Sequence, residues 1–170
     1  MAEACFEVDV RPRPEGCGPL GADAVEFRIT TNAGMPIGPL REVASGGELS
    51  RVMLALLSVA HGGGAPGSGG LLVFDEIDAG IGGHTARAVG QHLRALARGR
   101  QLLCITHLPQ IAALGGRHFT IAKDSSRSPA HTTVSLLDGE GVVAELVRML
   151  GADDADCAAR GHARELLKAA

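Results

Sequence analysis

The sequence predicts an α/β fold: a core of parallel strands with flanking helices, preceded by an antiparallel hairpin. Three observations carry this expectation. Leu71-Leu72-Val73-Phe74 and Gln101-Leu102-Leu103-Cys104-Ile105 are short apolar runs of the kind that form fully buried parallel strands. Between them, Ala86, Val89, Leu93 and Leu96 recur at the spacing of one helix face. Near the N-terminus, Phe6-Glu7-Val8-Asp9-Val10 and Val25-Glu26-Phe27-Arg28-Ile29 alternate apolar and polar residues, which suits strands with one covered face.

The elements follow in chain order. The Pro- and Gly-rich stretch from Arg11 to Gly21 turns the first strand into the second, and Thr31-Asn32-Ala33-Gly34 closes the hairpin. Ser45-Gly46-Gly47-Glu48 opens a helix on which Leu49, Val52, Met53, Leu56, Leu57 and Ala60 form an apolar stripe. Ser45 with Glu48 three residues later fits a capping box. Gly62 to Gly70 is a flexible loop, too short to divide the chain, so residues 1–170 are expected to form one domain. The first buried strand ends in Asp75-Glu76, and a helix runs from about His84 to Ala97. The second buried strand ends at Thr106-His107, and Pro109 sits where a first helical turn starts. Phe119-Thr120-Ile121 and Thr133-Val134-Ser135-Leu136 form a later strand pair around a polar turn at Asp124 to Pro129. Two helices, near Val142–Leu150 and Cys157–Lys168, finish the chain, and there is no internal repeat.

Composition narrows the function classes. The 170 residues are 45% hydrophobic and 21% charged, a globular profile. Sixteen basic against nineteen acidic residues give a net charge of −3, which excludes a polybasic nucleic-acid binder. Four Phe with no Trp or Tyr argue against an aromatic base-stacking surface. No apolar run is long enough to span a membrane, and the start, Met1 to Glu7, lacks a basic-then-apolar leader. Cys5, Cys17, Cys104 and Cys157 form no CxxC pair, which argues against a disulfide framework or zinc site and for a reducing, cytoplasmic setting. Arg94, Arg98 and Arg100 form either a basic helix face or an ordinary solvated one.

Three constellations carry chemistry. In Ser45-Gly46-Gly47-Glu48-Leu49-Ser50-Arg51, two glycines let backbone N–H groups approach an anion, and the helix that follows points its positive end there. The Ser45 hydroxyl either caps that helix or donates to a phosphate oxygen. Asp75 and Glu76 stand at the C-terminal end of a strand, where open α/β sheets bind ligands. An Asp there suits Mg²⁺ bound to nucleotide, and an adjacent Glu suits a water-activating base. Otherwise they are a strand end that happens to be acidic. His107 ends the second strand, as a phosphate donor or an ordinary surface histidine.

Their order resembles the C-terminal half of an ABC-type ATPase head: signature loop, strand ending in Asp-Glu with the loop after it, and switch histidine. Glu48, where transporter ATPases usually carry Gln, resembles the SMC-related DNA-repair branch. Val25 to Gly34, Pro39 to Arg51, Phe74-Asp75-Glu76-Ile77-Asp78-Ala79-Gly80-Ile81-Gly82-Gly83 and Cys104-Ile105-Thr106-His107-Leu108-Pro109-Gln110-Ile111-Ala112 resemble the RecN family of bacterial DNA repair proteins. The resemblance covers about Phe6 to Leu167. It implies the C-terminal lobe of a P-loop ATPase head, cytoplasmic and nucleoid-associated, that uses ATP and Mg²⁺ and pairs with a second head across the nucleotides. DNA is then the partner of the complete protein. Asp75 would help hold Mg²⁺, Glu76 would polarise the attacking water, and His107 would contact the γ-phosphate. Ser45, Gly46, Gly47 and Glu48, in the signature loop, would meet the ATP of the opposite head, with Asp78 at the dimer seam.

One part of the family pattern is missing. The phosphate-binding loop, G-x-x-x-x-G-K-[ST], needs a Lys after a Gly, and the two lysines here, Lys123 and Lys168, follow Ala122 and Leu167. The coiled coil between head halves is missing too. The chain is expected not to turn over ATP alone and to need an N-terminal head lobe. Two other readings stand beside this one. The first is a non-catalytic lobe that docks on another head and regulates it. The second is a head fragment of another SMC-like or RecF-like protein, against which Thr31-Asn32 and His107-Leu108-Pro109-Gln110 argue.

Overall fold

A computed structural model describes residues 4–30, 34–43, 45–61, 70–125 and 131–170. The Thr31-Asn32-Ala33 segment, the Gly62–Gly70 loop up to residue 69 and the turn residues 126–129 lie outside the described residues. The chain divides into two compact units, Met1–Leu49 and Ser50–Ala170.

In the first unit, β1 (Cys5–Pro12) and β2 (Asp23–Thr30) pair antiparallel, with Phe6 opposite Ile29, Val8 opposite Phe27 and Val10 opposite Val25. The alternation thus puts all six apolar side chains on one face. The Phe6 and Phe27 rings pack diagonally, 5.6 Å between centroids. A third strand, β3 (Gly38–Pro39), adds to the free edge of β2, and the Arg28 guanidinium donates to the Ile37 carbonyl at 3.0 Å to hold it. Two residues carry no periodicity, so nothing in the sequence marks this strand. The short helix α1 (Leu40–Val43) follows. Helix α2 (Gly46–His61) then crosses the boundary between the units.

In the second unit, β4 (Leu71–Phe74), α3 (Gly83–Leu96) and β5 (Gln101–Cys104) make the expected strand–helix–strand unit, with β4 and β5 parallel. Ala86, Val89, Leu93 and Leu96 of α3 are all buried, as their spacing predicts, and pack with Leu54, Phe74, Ile77 and Ile111. Two expectations are corrected. The strands are not buried on both faces: Phe74 is covered, but Leu71 and Val73 are 54% and 55% exposed, and Leu103 and Ile105 are exposed beside them. Successive side chains of a strand point to opposite faces, and here the packed cluster covers one of them. On α2, Val52 of the expected stripe is buried and Leu57 packs against the core, but so does Leu54, outside the stripe, while Leu49, Met53 and Leu56 are exposed. The helix is apolar on most sides, so its period did not single out the face that meets Phe74 and Ile77.

The rest of this unit follows the predicted order. Pro109 occupies the first turn of α4 (Pro109–Ala112). Gly90 lets α3 approach it, since a Cβ there would lie 2.5 Å from Leu114 Cδ1. β6 (His118–Asp124) and β7 (His131–Leu137) form an antiparallel ribbon. α5 (Gly139–Met149) and α6 (Cys157–Lys168) build a second core from Val142, Val143, Leu146, Val147 and Ala163, joined by Ala113. Asp156 caps α6 by accepting from the N–H groups of Ala158 and Ala159.

Candidate functional site

Parallel pairing of β4 with β5 brings both strand ends to the same edge of the sheet. The Ile105 N–H donates to the Phe74 carbonyl at 2.9 Å, so Asp75 and Glu76 leave one strand where Thr106 and His107 leave the other. Both carboxylates of the Asp-Glu pair are on exposed residues.

The chain turns sharply after β4. Glu76 has φ +56°, the left-handed region that disfavours a residue with a Cβ. The Ala79 N–H bonds back to the Glu76 carbonyl at 3.0 Å, and Gly80, φ +70°, completes the reversal. Helix α2 holds this turn from one side. The Ser50 hydroxyl donates to the Asp75 carbonyl at 3.1 Å, and Arg51 Nη1 donates to the carbonyls of Ile77 and Ala79 at 3.1 and 2.9 Å. A non-glycine residue stays left-handed only where its surroundings over-determine it, and these three bonds do so here.

The other side is held by Asp78. The resemblance would put Asp78 at a dimer seam; within this chain its carboxylate turns inward, leaving the residue 2% exposed. Asp78 Oδ2 accepts from Thr106 Oγ1 at 2.5 Å and from the His107 backbone N–H at 2.8 Å, and His107 Nδ1 lies 3.0 Å away. Burial alone would raise the Asp78 pKa. The bonds from the Thr106 hydroxyl and the His107 N–H, with the ring beside them, bring it below the ordinary carboxylate value. Thr106 Oγ1 in turn accepts from the Leu108 N–H at 3.1 Å. The His107 side chain is 70% exposed.

Ser45 to Glu48 belong to the other unit and form the predicted capping box. Glu48 Oε2 accepts from the Ser45 N–H at 2.9 Å and from its hydroxyl at 3.1 Å, and the Glu48 N–H points to Ser45 Oγ at 3.4 Å. Of the two roles open to Ser45, this geometry shows the cap. Gly46 is exposed and Gly47 buried.

Ser50, Arg51 and Thr106 lie inside the motifs named from the sequence without a role of their own, and the structure makes them supports of the candidate site. Their bonds reach 25 to 28 residues along the chain, and no local pattern signals such reach. The Arg94, Arg98 and Arg100 group is not one helix face, because α3 ends at Leu96. Burial pushes the Cys104 thiol up to about 12, helped by the charges of Asp78 and Asp75, which fits a packing role. No helix among the described residues is long and apolar enough to cross a membrane.

No protein-family model matches the chain. The DNA repair protein RecN of Treponema pallidum is 48% identical over 174 residues, covering 99% of this chain and 30% of that protein. The protein of the same name from Vibrio cholerae is 42% identical over 171 residues, covering 100% of this chain and 30% of its own length. The chain is homologous to RecN. It corresponds to the C-terminal part of RecN and spans about 30% of the length of these curated relatives. Among solved structures, the Smc head domain with a coiled coil and joint from Pyrococcus yayanosii matches with a TM-score of 0.59 at 20% identity, over 85% of this chain and 26% of that one. A second, from work on ATP-driven dimerization and DNA-stimulated activation of SMC ATPases, matches with a TM-score of 0.50 at 15% identity, over 86% of this chain and 83% of that one. This RecN-like chain therefore has the fold of an SMC-type head lobe.

Proposed function

We propose that this RecN-like lobe contributes one side of a composite ATP-hydrolysing site. The site is completed by a lobe that carries the phosphate-binding loop and by a second head. The observation that carries the reading is the shared sheet edge: two carboxylates leave β4 beside a histidine that leaves β5.

The donor chemistry fits Mg²⁺. Among the described residues there is no cluster of three or more His, Cys, Asp or Glu that could hold a metal by itself. Mg²⁺ at nucleotide sites uses one or two carboxylates plus phosphate oxygens, which is what an exposed Asp75 offers. When bound, the ion neutralises charge on the phosphate oxygens. Glu76, carried on the left-handed turn, accepts the proton of the attacking water. His107 faces the γ-phosphate. Ser45, Gly46, Gly47 and Glu48 meet the ATP of the opposite head, which requires the Ser45 hydroxyl to leave Glu48. In the complete protein this cycle serves double-strand break repair on DNA, in the cytoplasm at the nucleoid.

The partner lobe has a place to bind. The apolar residues Leu71, Val73, Leu103 and Ile105 share the uncovered face of the β4–β5 sheet. An apolar patch of this kind marks an interaction surface. In relatives more than three times as long as this chain, a further lobe is available to cover it.

The test is Mg-ATP hydrolysis by this chain mixed with a separately produced lobe that bears the phosphate-binding loop. Turnover is expected in the mixture and not in the chain alone. Glu76→Gln is expected to lower it by about 100-fold or more. A mixture shown to associate but without turnover would overturn the catalytic reading in favour of a docking lobe. Glu76-dependent turnover by the chain alone would overturn the composite site.

A further inference from the structure

We propose that Asp78 is a positioning residue for His107: it selects the ring tautomer and aims Nε2 at the reacting phosphate. The proposal rests on the reading that His107 faces that phosphate. Its physical basis is separate.

Asp78 is 2% exposed, and one of its oxygens, Oδ2, gathers three groups of the β5 strand end. An ionised carboxylate only accepts hydrogen bonds. His107 Nδ1 lies 3.0 Å from Oδ2 as a charge contact, beside the two hydrogen bonds, so a lone pair on Nδ1 would face the carboxylate and the Nδ1–H form is the one its field favours. In a neutral ring this leaves Nε2 with a lone pair, the opposite of the tautomer that a free histidine side chain prefers. The consequence for chemistry is specific. A neutral His107 cannot donate from Nε2 to a phosphate oxygen; it can only accept, for example from a water. To donate to phosphate it must be an imidazolium, whose charge the buried Asp78 carboxylate partly neutralises. The same logic governs an Asp that orients a catalytic His in hydrolases.

The backbone bond between the His107 N–H and Asp78 adds a second constraint, because it fixes the strand end and not only the ring. Thr106 fixes the carboxylate from the other side. Asp78 itself is carried by the turn that Arg51 ties down at Ile77 and Ala79. Helix α2, the turn after β4 and the end of β5 thus form one hydrogen-bonded path to the His107 ring.

The test is ¹⁵N NMR of the chain labelled at histidine, with the His107 signals assigned through His107→Gln. The wild-type ring is expected in the Nδ1–H form. Asp78→Ala, which removes the acceptor altogether, is expected to shift it towards the Nε2–H form, and Thr106→Val, which leaves the ring contact in place, is expected not to. In the completed enzyme Asp78→Ala should lower kcat about 10- to 100-fold, the usual cost of removing an orienting partner, with KM little changed. A wild-type His107 in the Nε2–H form would overturn the proposal, even if Asp78→Ala fails to fold. So would an unchanged tautomer in a folded Asp78→Ala protein. A tautomer that shifts while kcat stays at the wild-type value would keep the structural assignment and overturn the role of His107 at the phosphate.

Discussion

The α5–α6 pair and the β4–β5 sheet handle their apolar residues in opposite ways. In the helical pair, Val142, Val143, Leu146, Val147 and Ala163 all turn inward. Outside, Glu140 is bonded to Arg160 and Arg164, and Glu145 to Arg148. In the sheet, Phe74 packs inward while Leu71, Val73, Leu103 and Ile105 stay exposed. The β6–β7 ribbon repeats this, with the cross-strand pairs Phe119–Leu136 and Ile121–Val134 exposed on one face. A fully buried side chain of this size stabilises by about 1.5–3 kcal/mol relative to an exposed one. The strands leave that stabilisation unused, and the helices do not. The helical pair closes its own core, whereas one face of the sheet is bare; in the proposed function that face receives a second lobe.

The largest expected effect tests the finished side. Leu146→Ala should cost about 2–5 kcal/mol in urea unfolding, because it empties a closed core. Val73→Ala should change the stability of the chain alone by less than about 0.5 kcal/mol. Equal losses would break the comparison. The contrast should narrow on association: Val73→Ala is expected to weaken binding of the phosphate-binding-loop lobe roughly 10-fold by titration calorimetry, since two buried methylene equivalents are lost.

A smaller effect belongs to the cap. Ser45→Ala removes the acceptor for the Glu48 N–H and a donor to the Glu48 carboxylate, at a cost of about 1 kcal/mol in thermal unfolding. Nucleotide-dependent pairing of complete heads should suffer more than stability does if Ser45 also meets phosphate.

The smallest effect is in acid. Asp78 has a folded pKa below its ordinary value, so the folded state binds fewer protons there. Its contribution is fully present above the ordinary carboxylate range and is lost as pH falls through the lowered folded value. Asp78→Asn should flatten that limb in a pH series of unfolding midpoints. An unchanged acid limb would mean that the buried carboxylate is not what the turn depends on.

What could be read in the sequence was local or strongly periodic. Each apolar position named on α3 is buried, and the Ser45–Glu48 box forms as its three-residue spacing requires. The two alternating strands pair antiparallel, as expected. What could not be read depends on distant partners. The same apolar letters in Leu71–Phe74 describe a strand covered on both faces or on one, and only the packing decides. Helix α2 is apolar on too many sides to declare its inner face. Asp78 looks like any loop carboxylate until the left-handed turn at Glu76 swings it under Thr106 and His107, 28 and 29 residues away. The candidate site was therefore legible as a set of residues, and its internal wiring was not.

The central claim is that the bare sheet face is where a second lobe completes the site. Sedimentation velocity of this chain with the phosphate-binding-loop lobe, wild type against Val73→Asp, tests it most directly. The account predicts a one-to-one complex with the wild type and none with Val73→Asp, both chains being folded alone. An equally stable complex with Val73→Asp would contradict it.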